Sequence, residues 1–504
     1  MGASLTTRTT RASPQEASPA ASQGTPGQWP VVNDVHSQLN ATRVRRIVRP
    51  DSLDALHTAI SEAAGEGRAV SIAGGRHATG GQQFGTGTVL LDMGTMDRIV
   101  AFDAAVGEIE VEAGIQWPAV VDFLVTTQRD QARQWGIIQK QSGADRLGLG
   151  GALSANAHGH GLAFKPIISN VVAFTLVDGM GRILTCSREQ NADLFRLAIG
   201  GYGLFGVIAT VRLRLGPRQK LERAAELVTV NDLIATLDQR VAAGALYGDF
   251  QFAIDPSSDD FLRQGVLSTL RPVDPNTPIT TEQRASSPED WLTLITLAHV
   301  DKRQAVDAYT ARTLAASGQV VWSDLHQLSD YVVDYHRIID ERLRAKTPTT
   351  ETIGEVYVPR AALPQFLEET RGDFQAHNVD LIYGSIRLIE QDDESFLPWA
   401  RGSWACVIVN LHTVHSEAGL AAAAAAFGRL IDRAITYGGS YYLTYHRWAT
   451  RGQVEAAHPR IVQFLQLKQQ YDPDERFQST WYRHYRSMFA DHLPARIPGT
   501  APSS

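Results

Sequence analysis

The chain has 504 residues, too many for one simple hydrophobic core, so two or more domains are expected. Hydrophobic residues make up 43% and charged residues 20%, which is the balance of an ordinary soluble enzyme and excludes a disordered chain. The net charge of −7 and a pI near 6.1 argue against nucleic acid as a partner.

Only two cysteines occur, Cys186 and Cys406, so no disulfide framework is implied and a cytoplasmic location fits. No apolar run approaches the ~18 residues that a membrane span needs. The first 28 residues are rich in Ser, Thr, Ala, Pro and Gly without the apolar stretch of a signal peptide, and are expected to form a flexible tail.

Ordered structure is expected from Trp29. Arg45 to Val48 reads as a strand, and Pro50-Asp51-Ser52 opens a helix in which Leu53, Leu56, Ile60 and Ala63 recur at helical spacing. The apolar run Ala69 to Ala73 reads as a buried strand that stops at Gly74-Gly75, and a second pair, Gly80-Gly81, follows. Between the pairs sit Arg76 and His77. Glycines let a ligand approach the main chain, and consecutive backbone N–H groups in such a turn form a nest for an anion. The loop therefore reads as a cradle for a phosphate-bearing cofactor with one imidazole set against it.

Strands are expected at Thr88–Asp92, Ile99–Phe102 and Glu108–Ala113, then a helix from Trp117 and a long connection. A second glycine-rich segment runs from Gly148 to Gly159. Val171–Val177 reads as a strand, Asn191–Ala198 as a helix and Val207–Leu213 as a strand. Gly201, Gly203 and Gly206 match a dinucleotide fingerprint by letter, but here a helix precedes the glycines and a strand follows, the reverse of the required context.

Beyond Leu215 the glycine motifs thin out. Phe250, Phe252 and Ile254 alternate as in a strand, Pro272–Pro288 reads as a loop, and helices are expected at Ala305–Ala315 and Leu363–Phe374. Val379–Glu390 reads as a strand with Tyr383, Ser385 and Arg387 on one face. Trp404–Val414 reads as its neighbour, with Cys406, Ile408, Asn410 and His412 sharing a side. His158-x-His160 and His412-x-x-His415 lack a Cys or carboxylate set at metal-site spacing, so no metal is expected.

Three of these segments resemble the vanillyl-alcohol-oxidase-like (PCMH-type) flavoproteins, most nearly their alditol and aldonolactone oxidase branch. Gly75-Arg76-His77-Ala78 is similar to the branch's first cofactor loop. Gly148-Leu-Gly-Gly-Ala-Leu-Ser-Ala-Asn-Ala-His-Gly159 resembles its second loop. The run from Val171 to Leu215 resembles the end of its FAD domain. The resemblance spans roughly residues 42 to 216.

It implies an α+β fold with two α+β subdomains holding FAD and an α+β cap domain with an antiparallel sheet. The expected division is a tail at 1–28, an FAD domain at 29–216, a cap at 217–440, a segment at 441–490 returning to the FAD domain, and a tail at 491–504. The implied cofactor-binding residues are Ile72, Ala73, Gly74, Gly75, Arg76, His77, Ala78, Gly143, Gly148, Gly151, Asn156, His158 and Ile208. His77 is expected to bond covalently to FAD. The loop Gln141–Leu147 has no cysteine, so a second covalent bond is not expected.

The segment Ser385-Ile-Arg387 resembles the branch's Glu-Ile-Arg strand, with Ser385 in the place of the acid. Arg387 is then expected to stabilise negative charge on flavin or substrate; the other reading pairs it with Asp392 or Asp393. In relatives a strand near 441–448 brings a Lys or His to the flavin; here His446 is the candidate base and Tyr445 the runner-up. Asp472-Pro-Asp-Glu-Arg-Phe477 resembles the family's closing turn. The implied activity is oxidation of a CH–OH group of a sugar, alditol or aldonolactone, a small polar alcohol, with O2 as acceptor. Two rivals stand beside it: an oxidoreductase of an aromatic or secondary-metabolite alcohol, and a flavin-binding protein without turnover.

Overall fold

Val70–Ala73 forms the expected strand and lies at the edge of a three-stranded parallel sheet in the order Arg46–Val48, Val89–Asp92, Val70–Ala73. Parallel strands need a crossover, and the helix Leu53–Gly65 supplies it, capped by Ser52 and burying Leu56, Ala59, Ile60 and Ala63. The computed structural model describes residues 28–280, 287–329, 332 and 334–494. Of the tails expected at 1–28 and 491–504, residues 1–27 and 495–504 lie outside the described residues, as does 281–286 within the expected loop; a short helical turn at Ala490–His492 enters the second of them.

A five-stranded antiparallel sheet follows, in the order Ile183–Ser187, Val171–Val177, Val207–Arg214, Glu108–Glu112, Ile99–Asp103. The turn bearing Gly201, Gly203 and Gly206 joins the helix Ala192–Ala198 to the strand Val207–Arg214, so the fingerprint sits in the reversed context read from the sequence.

The second half is built on an eight-stranded sheet: Val320–Trp322, Lys220–Thr229, Gln264–Pro272, Tyr247–Phe252, Leu381–Ile389, Trp404–Val414, Thr349–Pro359 and Ser440–Tyr441, with each neighbouring pair antiparallel. Ile254, read as part of the alternating strand, falls just beyond its end. Helices Pro288–Val300, Lys302–Ala315, Tyr335–Leu343, Leu363–Ala376 and Glu417–Thr436 pack around this sheet. The alanine-rich run at 420–427 belongs to the last of them. No helix among the described residues is long and apolar enough to cross a membrane. The fold is α+β, as the resemblance implied.

The chain then returns to the first half. Val70 bridges Phe477 in parallel, and its N–H and C=O bond the carbonyl of Arg476 and the amide of Gln478. Asp472 organises this closing turn by accepting from the backbone amides of Arg476 and Phe477. The strand implied near 441–448 is a correction: only Ser440 and Tyr441 pair, and a turn follows.

Candidate active site

One large cavity, of about 510 Å³, lies between the glycine loops of the first half and the eight-stranded sheet of the second. Its volume is in the range of ligand and cofactor sites. The loop after Val70–Ala73 forms one wall. Arg76 holds φ +60 and pairs with Asp92 at 3.1 Å, which anchors the turn. Gly75 has no room for a side chain, because a Cβ there would meet the Arg146 carbonyl oxygen at 2.1 Å. A Cβ on Gly143 or Gly151 would meet no protein atom within 4 Å, although both residues line the cavity. Those two glycines leave open the space a bound group would fill.

Of the cofactor residues named from the sequence, Ile72, Gly74, Gly75, Arg76, His77, Ala78, Gly143, Gly148, Gly151, His158 and Ile208 line the cavity. Ala73 and Asn156 do not. Alternation along the strand turns Ala73 away from Ile72, into a cluster with Val32, Val44, Phe84 and Leu90. Asn156 caps the helix Leu149–Ala155 in the left-handed conformation, and its amide bonds Asp392 at 2.8 Å. His77 is half-buried; desolvation lowers its imidazole to about 4 against the pull of Asp34 and a hydrogen bond to the Arg146 backbone, so the ring is neutral near pH 7.

The facing wall is the large sheet, and its register explains which side chains meet. Ser385, Ile408 and Glu355 form one row across three strands, since Ser385 and Glu355 both oppose Ile408. Tyr383, Asn410 and Ile353 form the next row. Side chains two apart on a strand share a face, and Tyr383, Ser385, Arg387, Ile408, Ile353 and Glu355 all line the cavity. Ser385 thus shares its row with a carboxylate, Glu355, two strands away.

Glu355 is the residue the sequence reading missed. Its Oε1 takes hydrogen bonds from His158 Nε2 at 2.6 Å, Tyr357 Oη at 2.5 Å and Cys406 Sγ at 3.0 Å, and its Oε2 takes one from Tyr445 Oη at 3.0 Å. Burial alone would raise this carboxyl, but His158 and the hydrogen bonds from His158, Cys406 and Tyr357 outweigh it and hold it at about 2. The carboxylate is thus ionised and fully desolvated. A signal was present: Glu351 and Glu355 fall on one face of the run Thr349–Pro359, where carboxylates are out of place in a buried strand.

Arg387 pairs with neither Asp392 nor Asp393. Its Nε donates to Asp249 at 2.9 Å and its Nη1 to Ser142 Oγ, while Asp393 pairs with Lys165 and Asp392 bonds Asn156 and Ser395. The guanidinium thus ties the eight-stranded sheet to the loop Gln141–Leu147. Tyr445 lines the cavity, but the structure does not bring His446 there: its ring packs on Phe427 and Trp448 with centroids at 4.3 and 4.5 Å. Burial lowers the His446 imidazole to about 3.

Buried polar atoms without a protein partner on the cavity wall include one from each of two glutamines. Gln141 accepts from Trp117 Nε1 at 3.0 Å, which leaves its Nε2 unpartnered; Gln82 donates to Leu443 O at 3.0 Å, which leaves its Oε1 unpartnered. A donor and an acceptor held in place beside open glycines fit a large polar cofactor.

The class of domain follows from comparison. Residues 44–187 match the model of the FAD binding domain family, so the first half of the chain carries an FAD-binding domain and FAD is its cofactor. Among similar proteins, L-galactono-1,4-lactone dehydrogenase 1, mitochondrial, of Oryza sativa subsp. japonica is 32% identical over 194 residues, which is 38% of this chain and 30% of the relative. L-gulonolactone oxidase of Mus musculus is 27% identical over 213 residues, 42% of this chain and 46% of the relative. Cytokinin dehydrogenase 2 of Oryza sativa subsp. japonica is 30% identical over 213 residues, 40% of this chain and 37% of the relative. The chain spans less than half the length of each of these relatives.

Proposed function

We propose that this protein is an FAD-dependent oxidoreductase that oxidises a CH–OH group, with the Glu355 cluster taking up the hydroxyl proton. The observation that carries the reading is the row Ser385–Ile408–Glu355, which sets an ionised carboxylate and the Tyr445 hydroxyl in the cavity opposite the glycine loops. The residues that would hold FAD are the 74–78 loop, Gly143, Gly148, Gly151, Gln82 and Gln141. When bound, FAD supplies the acceptor for the hydride.

The protein's own work is proton handling and charge. Burial raises the Tyr445 hydroxyl well above its usual range, so it stays protonated. It acts as a relay: its oxygen accepts the proton of the substrate hydroxyl while its own proton passes to Glu355 Oε2. His158, Tyr357 and Cys406 hold Glu355 ionised and in place; the same bonds weaken it as a base, so it takes the Tyr445 proton only as the hydride leaves. Arg387 supplies positive charge beside the reacting groups. His77 is inferred to attach FAD covalently, because the ring is neutral and its hydrogen bond to the Arg146 carbonyl orients it.

The similarity to a galactonolactone dehydrogenase and a gulonolactone oxidase supports a sugar lactone or related polyol as substrate, with O2 as the proposed acceptor. A second reading, an alcohol with an aromatic or apolar body, is favoured by the wall formed by Trp291, Leu294, Ile295, Val306 and Tyr309 from the two cap helices. The test is anaerobic mixing of the flavin-loaded enzyme with a panel of aldonolactones, alditols and aromatic alcohols, followed by flavin absorbance. Bleaching by one class names the substrate. Failure of every alcohol to bleach the flavin overturns the reading.

A further inference from the structure

Beyond the flavin cavity, a second buried carboxylate sits among histidines at the far end of the same sheet face. We propose that Glu351, His299 and His412 bind one divalent transition-metal ion of the zinc type, which pins the helix Pro288–Val300 to the sheet.

The sheet register makes the first pair. Glu351 lies directly opposite His412 on the neighbouring strand, and both point to the face that carries Ile353 and Glu355. The third residue, His299, comes from the last turn of the helix Pro288–Val300. His299 Nε2 stands 2.8 Å and His412 Nδ1 3.9 Å from Glu351 Oε1, and one donor atom from each of the three residues lies within 4.8 Å of the others. Zinc bonds of ~2.0–2.2 Å in a tetrahedron place neighbouring donors about 3.3 Å apart. The separations of 2.8 and 3.9 Å bracket that value. The His299 and His412 rings meet edge to face at 82°, so they do not stack against each other.

Two further features distinguish the cluster from a plain buried ion pair. His412 Nδ1 is buried and makes no hydrogen bond to the protein. His336 Nδ1 bonds the second oxygen, Glu351 Oε2, at 3.0 Å, which orients the carboxylate as outer-shell partners do in metal sites. Two imidazoles and one carboxylate form a donor set that suits zinc and its neighbours and disfavours Ca²⁺ or Mg²⁺, which take oxygen. Spacing along the chain hides the site. His415, the nearer candidate by sequence, bonds Thr350 Oγ1 at 3.0 Å instead, and the other two ligands lie far from His412 in the chain.

The position suggests a consequence. The helix that carries His299 also carries Trp291, Leu294, Ile295 and Ala298, which line the cavity. An ion shared by that helix and the strands would fix this wall.

The test uses the full-length, flavin-loaded protein, stripped with a chelator and titrated with Zn²⁺ by calorimetry, with Co²⁺ absorption as a second probe. One saturable equivalent of Zn²⁺ is expected, with a cobalt spectrum typical of tetrahedral nitrogen and oxygen ligation. His412→Phe, which removes a partly exposed ligand, should abolish both signals while the flavin spectrum stays. His336→Phe should weaken Zn²⁺ binding by about 10–100-fold. No saturable binding, or binding equal in the parent and in His412→Phe, would overturn the proposal.

Discussion

Replacing Glu355 by Gln removes the charge and keeps the shape, so it isolates the role of the carboxylate. Four donors converge on that group: His158, Tyr357 and Cys406 on one oxygen and Tyr445 on the other. The Gln amide satisfies the crowded side best by placing its oxygen there. Its NH2 then faces Tyr445, which must accept where it formerly donated. The relay loses its terminal acceptor, and the limiting rate of flavin reduction should fall about 10²–10⁴-fold, which is about 3–5 kcal/mol in barrier. Hydrogen bonds to a charged group are worth roughly 1 kcal/mol more than neutral ones, so folding should lose about 2–4 kcal/mol over the four partners. Stopped-flow reduction under anaerobic conditions gives the first quantity, and urea unfolding gives the second. A variant that loses stability yet reduces flavin within about twofold of the parent would show that Glu355 only anchors the sheet, and the proposed chemistry would be refuted.

Three further outcomes follow from the geometry. Gly75→Ala drives a Cβ against the Arg146 carbonyl oxygen, so the loop must shift; FAD retention after gel filtration should fall, at a folding cost of about 1–3 kcal/mol. His446→Leu should leave flavin reduction within about twofold, because the ring packs on Phe427 and Trp448 away from the cavity, and it should change stability by under about 1.5 kcal/mol; a large loss of reduction rate would restore His446 as a base. Stability should fall steeply once pH drops below 6.5. Burial holds His36 at about 4 and His326, His446 and His458 at about 3, so the unfolded chain takes up protons that the folded one refuses. Each such histidine contributes about 1.4 kcal/mol per pH unit between 6.5 and its folded value. A melting temperature unchanged from pH 7 to pH 5 would contradict this.

The first half of the fold was legible because its signals are local. The apolar run before Gly74, the capped helix from Leu53 and the reversed context of Gly201–Gly206 each lie within about twenty residues, and all are found where the sequence indicated. The strands bearing Arg387 and His412 were legible for the same reason. Two residues of the linear cofactor motifs do not reach the cavity wall. Ala73 and Asn156 belong to cofactor motifs, yet alternation and a left-handed cap turn them into neighbouring packing.

What stayed hidden depends on register between distant strands. Nothing local says that Glu355 stands in the same row as Ser385, so this carboxylate could only be found once the three strands were aligned. The pairing of Arg387 with Asp249 has the same origin, as the Tyr247–Phe252 strand lies next to Leu381–Ile389. His446 was favoured over Tyr445 because a strand was expected through 448. The pairing stops at Tyr441, and the turn that follows presents Tyr445 to the cavity.

The most direct measurement is the absorption spectrum of the purified protein before and after acid precipitation, repeated on His77→Ala. The expected result is a flavin spectrum that stays with the precipitate in the parent and leaves it in the variant, as a covalent bond at His77 requires. Flavin released into the supernatant by the parent would refute the covalent bond while keeping the cofactor, and a protein that takes up no FAD at all would contradict the reading of the glycine-lined cavity itself.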